Sequence, residues 1–165
     1  MNKTLFLFHL FLLPLILLIS SCDGERLRAC SGGDCEHILF PNANLIITED
    51  TIIQRIEIGP GNKLVFEHRF EKNDKANIAD DEFWDWIFFE IDPDLESFSF
   101  SDAELTDINA LYEFSCFCVG PFRFRIESGT ISGEKKGDKW DVTVDVEIDR
   151  NGQFISKSFS ATYRE

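Results

Sequence analysis

Basic residues are scarce in this chain: 16 Lys plus Arg stand against 30 Asp plus Glu over 165 residues, a formal net charge of −14. Such a surface repels phosphate backbones, and no stretch gathers the Lys and Arg of a basic patch, so nucleic acid is excluded as a partner. With no internal repeat and no low-complexity block, the length suits one globular domain and excludes a multi-domain machine. Histidine is sparse too, 3 in all, and none sits in an HExxH, triad or nucleophile-elbow setting. No enzymatic activity and no cofactor are therefore expected. The N-terminal apolar run, Leu5 to Ile19, has 15 residues, short of the roughly 20 of a transmembrane helix but right for the core of a signal peptide.

Ile19-Ser20-Ser21-Cys22 follows that run. Apolar core, small residues and cysteine in this order resemble the lipobox of bacterial lipoproteins. The resemblance implies acylation of the Cys22 thiol (palmitate or a similar chain), cleavage before Cys22 and acylation of the new amine. Residues 1–21 then form a lipoprotein signal peptide, 22–36 a lipidated tether and 37–165 the folded domain. The 144 residues left (165 less 21) carry 15 basic and 30 acidic side chains, net −15. Several acyl chains suffice for stable anchoring, so the expected partner is a membrane, held through the N-terminal lipid. The expected location is the cell membrane or the outer membrane, facing periplasm or cell surface. Asp23 after the cysteine resembles an inner-membrane retention signal, whereas Asp23 with Glu25 resembles a surface-export signal; both leaflets stay open.

Beyond the tether, short β-branched or aromatic runs alternate with Gly, Pro, Asn and Asp, the punctuation of an all-β domain. The reading is an antiparallel β-sandwich of about ten strands with one short helix. The strands fall near His37–Phe40, Asn44–Thr48, Thr51–Ile58, Lys63–Phe70, Phe83–Ile91, Ser97–Phe100, Leu111–Val119, Phe122–Glu127, Trp140–Ile148 and Phe154–Tyr163. The helix is placed between Ser101 and Ala110, where Ser101 and Glu104 have capping-box spacing and Leu105, Ile108 and Leu111 or Tyr112 recur at helical period. Asn151-Gly152 predicts a type I′ hairpin with positive φ at both residues. Arg150 opposite Gln153 then sets Trp140 against Tyr163, Val142 against Ala161, Val144 against Phe159 and Ile148 against Ile155 on one apolar face. Lys157, opposite Val146, falls on that face and is expected to snorkel near a rim; Phe154 falls on the polar face and is expected to be exposed. A second hairpin is read at Val119-Gly120-Pro121-Phe122. It pairs Phe117 with Phe124 and Ser115 with Ile126 on the core side, leaving Cys116 beside Arg125 and Cys118 beside Arg123 on the other.

Once Cys22 carries lipid, four cysteines remain: Cys30, Cys35, Cys116 and Cys118. An oxidising compartment makes disulfides the default. Residues two apart in a strand lie about 6.6 Å apart, at the long end for a Cys116–Cys118 bridge. Pairing the tether cysteines with the strand cysteines closes a loop of some 80 residues, worth about 4.5 kcal/mol against about 2 for a local Cys30–Cys35 bridge, and is the favoured arrangement. The alternative function is thiol–disulfide redox or metal binding through these four cysteines, with Arg123 and Arg125 lowering thiol pKa.

The segment Tyr112-Glu113-Phe114-Ser115-Cys116-Phe117-Cys118, followed by Phe124 to Ile131, resembles uncharacterised secreted bacterial proteins with a Cys-Phe-Cys strand motif, which implies an envelope location. The acidic runs Asp80-Asp81-Glu82 and Asp92 to Glu96 lack the ligand spacing and glycine of a calcium loop, so no metal is expected. His68 alternates with Leu64, Phe66 and Phe70 and reads as a histidine on a half-buried strand. In Phe83-Trp84-Asp85-Trp86-Ile87-Phe88-Phe89, one face holds Trp84, Trp86 and Phe88 and the other Phe83, Asp85, Ile87 and Phe89. That sequence reads either as a central strand covered by the tether or helix, or as an aromatic platform at Trp84, Trp86 and Phe88 for a glycan or an envelope protein. The functional expectation is a lipid-anchored, non-enzymatic envelope protein acting as a binding or structural module.

Overall fold

The computed structural model describes residues 28–48, 55–73, 82–117 and 122–164. The signal peptide, residues 22–27 of the tether, Asp80, Asp81, Cys118 and the Val119-Gly120-Pro121 turn lie outside these residues; tether residues 28–36 are not a tether but belong to the folded sheet, because they pair as strands there.

The described chain forms eleven strands: β1 (Arg28–Cys30), β2 (Gly33–Thr48), β3 (Arg55–Pro60), β4 (Lys63–Lys72), β5 (Phe83–Ile91), β6 (Ser97–Ser101), β7 (Leu111–Cys116), β8 (Phe122–Arg125), β9 (Ser128–Lys136), β10 (Lys139–Asp149) and β11 (Phe154–Arg164). One antiparallel sheet has the order β1-β2-β4-β5-β7-β8, with β3 paired to β2; the other has the order β11-β10-β9-β6. The fold is thus the all-β sandwich read from the strand pattern. Two expected strands, His37–Phe40 and Asn44–Thr48, are one continuous β2, irregular between Phe40 and Ala43, where Asn42 takes a φ of 53°. Among the described residues the single helical segment is a 3₁₀ turn, Asp102–Thr106. Glu104 accepts the Ser101 N–H at 3.0 Å, as a capping box requires. Leu105 and Ile108 from this stretch plug the core, and the chain turns into β7 before an α-helix can lengthen.

Alternation decides which side of each strand is wet. Along β10, Trp140, Val142, Val144, Val146 and Ile148 are buried, while Asp141, Thr143, Asp145, Glu147 and Asp149 are exposed. The β10–β11 register is the predicted one, residue for residue from Lys139–Arg164 to Asp149–Phe154. Asn151 and Gly152 close it at φ 59° and 90°, with mutual backbone hydrogen bonds between Arg150 and Gln153. Phe154 is exposed, as expected. Between the sheets, β4 and β5 contribute Phe66, Ile87 and Phe89, and β10 and β11 contribute Trp140 and Tyr163. The Phe66 ring stacks on Phe89 with centroids 4.7 Å apart and meets Trp140 edge-on at 5.9 Å.

The β7–β8 hairpin has a different register from the one read at Val119 to Phe122. Tyr112 lies opposite Phe124, Glu113 opposite Arg123 and Phe114 opposite Phe122, so the connection is longer than two residues. Sequence parity explains the choice. This register puts the aromatic residues of both strands on the core side, where Phe114 stacks on Phe122 with centroids 4.9 Å apart, and lets Arg123 bond Glu113 outside. Phe117, placed in the core by the tight-turn reading, is instead 74% exposed.

A second, smaller core lies on the outer face of the larger sheet. Beyond its irregularity β2 curls over that face with β3, so that Ala43 and Leu45 cover Val65 of β4 and Phe88 of β5. The Leu45 N–H donates to Glu90 Oε2 at 2.7 Å and locks the crossing.

Candidate functional site

Trp84 and Trp86 occupy the part of that outer face toward the start of β5. On β5 the even-numbered residues turn outward, and the β4–β5 register sets Arg69 beside Trp86 and Glu71 beside Trp84. These four side chains line an open groove of about 320 Å³. Both indoles are half-buried. Successive outward residues on a strand stand about 6.8 Å apart, so the two rings form a short aromatic track.

Ion pairs flank Trp86 on both sides. Arg69 reaches Glu36 at 2.9 Å and Glu67 at 3.2 Å. On the far side Glu113, opposite Trp86 on β7, accepts from Arg123 at 2.8 Å. Burial raises the Glu67 carboxyl pKa, an effect that Arg69 opposes and Glu36 reinforces. The groove therefore sets two indole faces beside a guanidinium held by Glu36 and Glu67 and beside the Glu71 carboxylate. Phe88 does not share it: at 8% exposure it lies beneath Ala43 and Leu45. The expected three-residue platform is thus two residues wide, because β2 and β3 cover the third; among the described residues, they rather than the tether or helix form the cover.

The other polar concentration is interior. Asp85, on the core face of β5, is 0% exposed, and its Oδ2 contacts Lys157 Nζ from β11 of the opposite sheet. Lys157 does not snorkel to a rim; it extends into the sandwich, its side chain 26% exposed. The ammonium lies 5.6 Å from the Phe70 ring centroid and 5.7 Å from that of Tyr112. The Tyr112 hydroxyl donates to Asp85 Oδ2 at 3.5 Å. Burial pushes the Asp85 carboxyl above its usual range, against the pull of Lys157 and Tyr112. The same burial, with the Asp85 charge, raises the Tyr112 phenol. Along the chain Asp85 and Lys157 are 72 residues apart. Their shared signal was a charge on each of two otherwise apolar strand faces.

Beside this pair, His37 on β2 and His68 on β4 face one another in the register, with His68 Nδ1 and His37 Nε2 3.0 Å apart. His68 is 5% exposed and stacks on Phe159, ring centroids 4.0 Å apart. Burial first, then His37 and Lys157, depress its pKa to about 3. The folded protein thus refuses a proton that the unfolded chain accepts near pH 6.5, so stability falls as pH drops below that value. The expected contribution approaches about 1.4 kcal/mol per pH unit in the window between the unfolded value near 6.5 and the folded value of about 3. His68→Phe should flatten that slope in denaturation midpoints measured across the window; an unchanged slope would mean that His68 is protonated in the native state.

The cysteines depart from the favoured pairing. Cys30 and Cys35 are bonded to each other, Cα atoms 5.6 Å apart, because β1 turns back on β2 and sets Cys30 opposite Gly33. A Cα separation of 5.6 Å lies within the range a disulfide spans. Cys116 is also disulfide-bonded. It lies opposite Phe83 and packs against the main core, not on the outward face. With Arg123 bonded to Glu113 and Arg125 opposite Leu111, the expected pairing of arginines with Cys116 and Cys118 is replaced. Among the described residues no group of three or more His, Cys, Asp or Glu is arranged to hold a metal ion. No helix there is long and apolar enough to cross a membrane.

No protein-family model, no curated protein and no solved structure matches this chain.

Proposed function

We propose that this chain is a lipid-anchored, non-enzymatic cell-envelope protein whose sandwich binds a glycan in the Trp84–Trp86 groove. The observation that carries the reading is two half-buried indoles one strand period apart, with Arg69 and Glu71 beside them. A pyranose ring presents C–H faces that stack on indoles and hydroxyls that exchange hydrogen bonds with guanidinium and carboxylate. The net charge of −14 disfavours acidic polysaccharides and favours neutral oligosaccharides.

Tryptophan fluorescence titrated with neutral oligosaccharides tests this directly. Of the three tryptophans, Trp140 is fully buried, so a ligand in the groove perturbs only Trp84 and Trp86. A saturable change supports a glycan site. Silence toward every sugar, with an envelope protein captured through the same residues, replaces the glycan by a protein partner.

Anchoring rests on the lipobox-like Ile19 to Cys22 segment and has its own test. Cys22→Ser is expected to abolish lipid incorporation and to move the protein from the detergent phase to the aqueous phase on phase separation. Continued partition of the variant with detergent removes lipidation at Cys22 from the reading.

A further inference from the structure

Lys157 and Asp85 approach one another from the two sheets, 72 residues apart in sequence. Asp85 lies opposite Phe70 on one neighbouring strand and opposite Phe114 on the other, and it is 0% exposed. Lys157 Nζ touches its Oδ2, and among the described residues Oδ1 has no hydrogen-bond partner. We propose that these two side chains condense into an intramolecular isopeptide bond that joins β11 to β5.

The chemistry is balanced within the pair. A low-polarity surrounding disfavours separated charges, so one proton passes from the ammonium to the carboxylate, leaving amine and acid. The raised affinity of Asp85 for a proton favours the same step. The Nζ lone pair then attacks Cγ, forming the N–C bond. One carboxyl C–O bond breaks, and its oxygen departs with two hydrogens, one from the acid and one from nitrogen. The products are a secondary amide and one water; nothing is oxidised and no co-reactant is needed. Tyr112, whose hydroxyl donates to Oδ2, polarises the carboxyl group under attack. Holding amine and carboxyl in contact within the folded core supplies the high effective concentration that such a condensation requires. The partial exposure of Lys157 leaves the departing water a route to solvent. The amide also removes two charges from the interior, an advantage over the ion pair.

The test is mass spectrometry of the full chain purified from its membrane, reduced and denatured, beside the Lys157→Arg variant processed identically. The expected parent mass is one water below its calculated value relative to the variant, and proteolysis should yield a branched peptide containing both Asp85 and Lys157. Separate peptides at full calculated mass would overturn the proposal and leave an ion pair. Should Lys157→Arg fail to fold, the parent peptide map decides alone.

Discussion

Lys157→Met is expected to destabilise the fold by at least about 3–5 kcal/mol, the cost of stranding a buried charge whose partner is removed. Asp85 sits at 0% exposure, and in the variant only the Tyr112 hydroxyl remains of its donors described here. The sign of the pH dependence follows. Burial already raises the Asp85 pKa with Lys157 present, and removing the ammonium raises it further. The folded variant then keeps a proton that the unfolded chain releases above about pH 3.9, so the deficit is small in acid and grows as pH rises toward neutral. Chemical denaturation of parent and variant at pH 7 and pH 5 checks this; a deficit independent of pH would show that Asp85 does not carry the charge. The double variant Asp85→Leu with Lys157→Met separates ionic from covalent pairing. An apolar replacement of a buried ion pair is often neutral or stabilising. Loss of a cross-link spanning 72 residues costs about 4 kcal/mol by the loop-entropy estimate used for disulfides. With the isopeptide in place, the double variant should be less stable than the parent.

Trp84→Ala with Trp86→Ala should weaken glycan binding at least a hundredfold. Truncating one well-packed aromatic anchor costs about 2 kcal/mol, roughly thirtyfold, and the two rings form a single track. Both are half-buried on the outer face, away from the core built by Phe66, Ile87, Phe89 and Trp140, and Trp86 only borders the smaller core around Phe88, so the fold should survive with a modest loss of stability. Calorimetric titration of the folded variant with the oligosaccharide bound by the parent is the measurement. Unaltered affinity would move the site elsewhere, and unfolding would assign the rings to structure. Phe88→Ala is the contrasting change: it removes a ring enclosed by Ala43, Leu45 and Val65, so it should lower stability by about 3–5 kcal/mol.

Most strands were legible because β-alternation is local; β1 and β9 were not among the expected strands, and in β9 Ile131 is the one apolar side chain among glycine, serine, threonine and charged residues. Each residue of β10 announces its side by its polarity, and burial along the strand follows that pattern without exception from Trp140 to Asp149. The β10–β11 register was legible as well, since Asn-Gly supports few turns other than a two-residue one. Gly-Pro near residue 120 carries no such restriction. The β7–β8 register was settled by aromatic partners, Phe114 with Phe122 and Tyr112 with Phe124, which a turn motif does not encode.

For the site, sequence placed Trp84 and Trp86 on one strand face but could not separate them from Phe88. That separation depends on β2 bending at Asn42 and crossing the outer face, a contact between segments 45 residues apart held by Leu45 and Glu90. The cysteines show the same limit. Loop entropy favoured distant partners, while the turn between β1 and β2 made Cys30 and Cys35 neighbours.

By itself, then, the sequence determined the all-β class and the C-terminal hairpin with its wet and dry faces, because these follow from polarity at period two and from one turn's backbone preference. Tertiary structure alone decided that Asp85 meets Lys157, that Phe88 is covered and that Cys30 takes Cys35. Each depends on which surfaces pack across the sandwich or fold back on it, and packing of distant surfaces leaves no periodic mark along the chain.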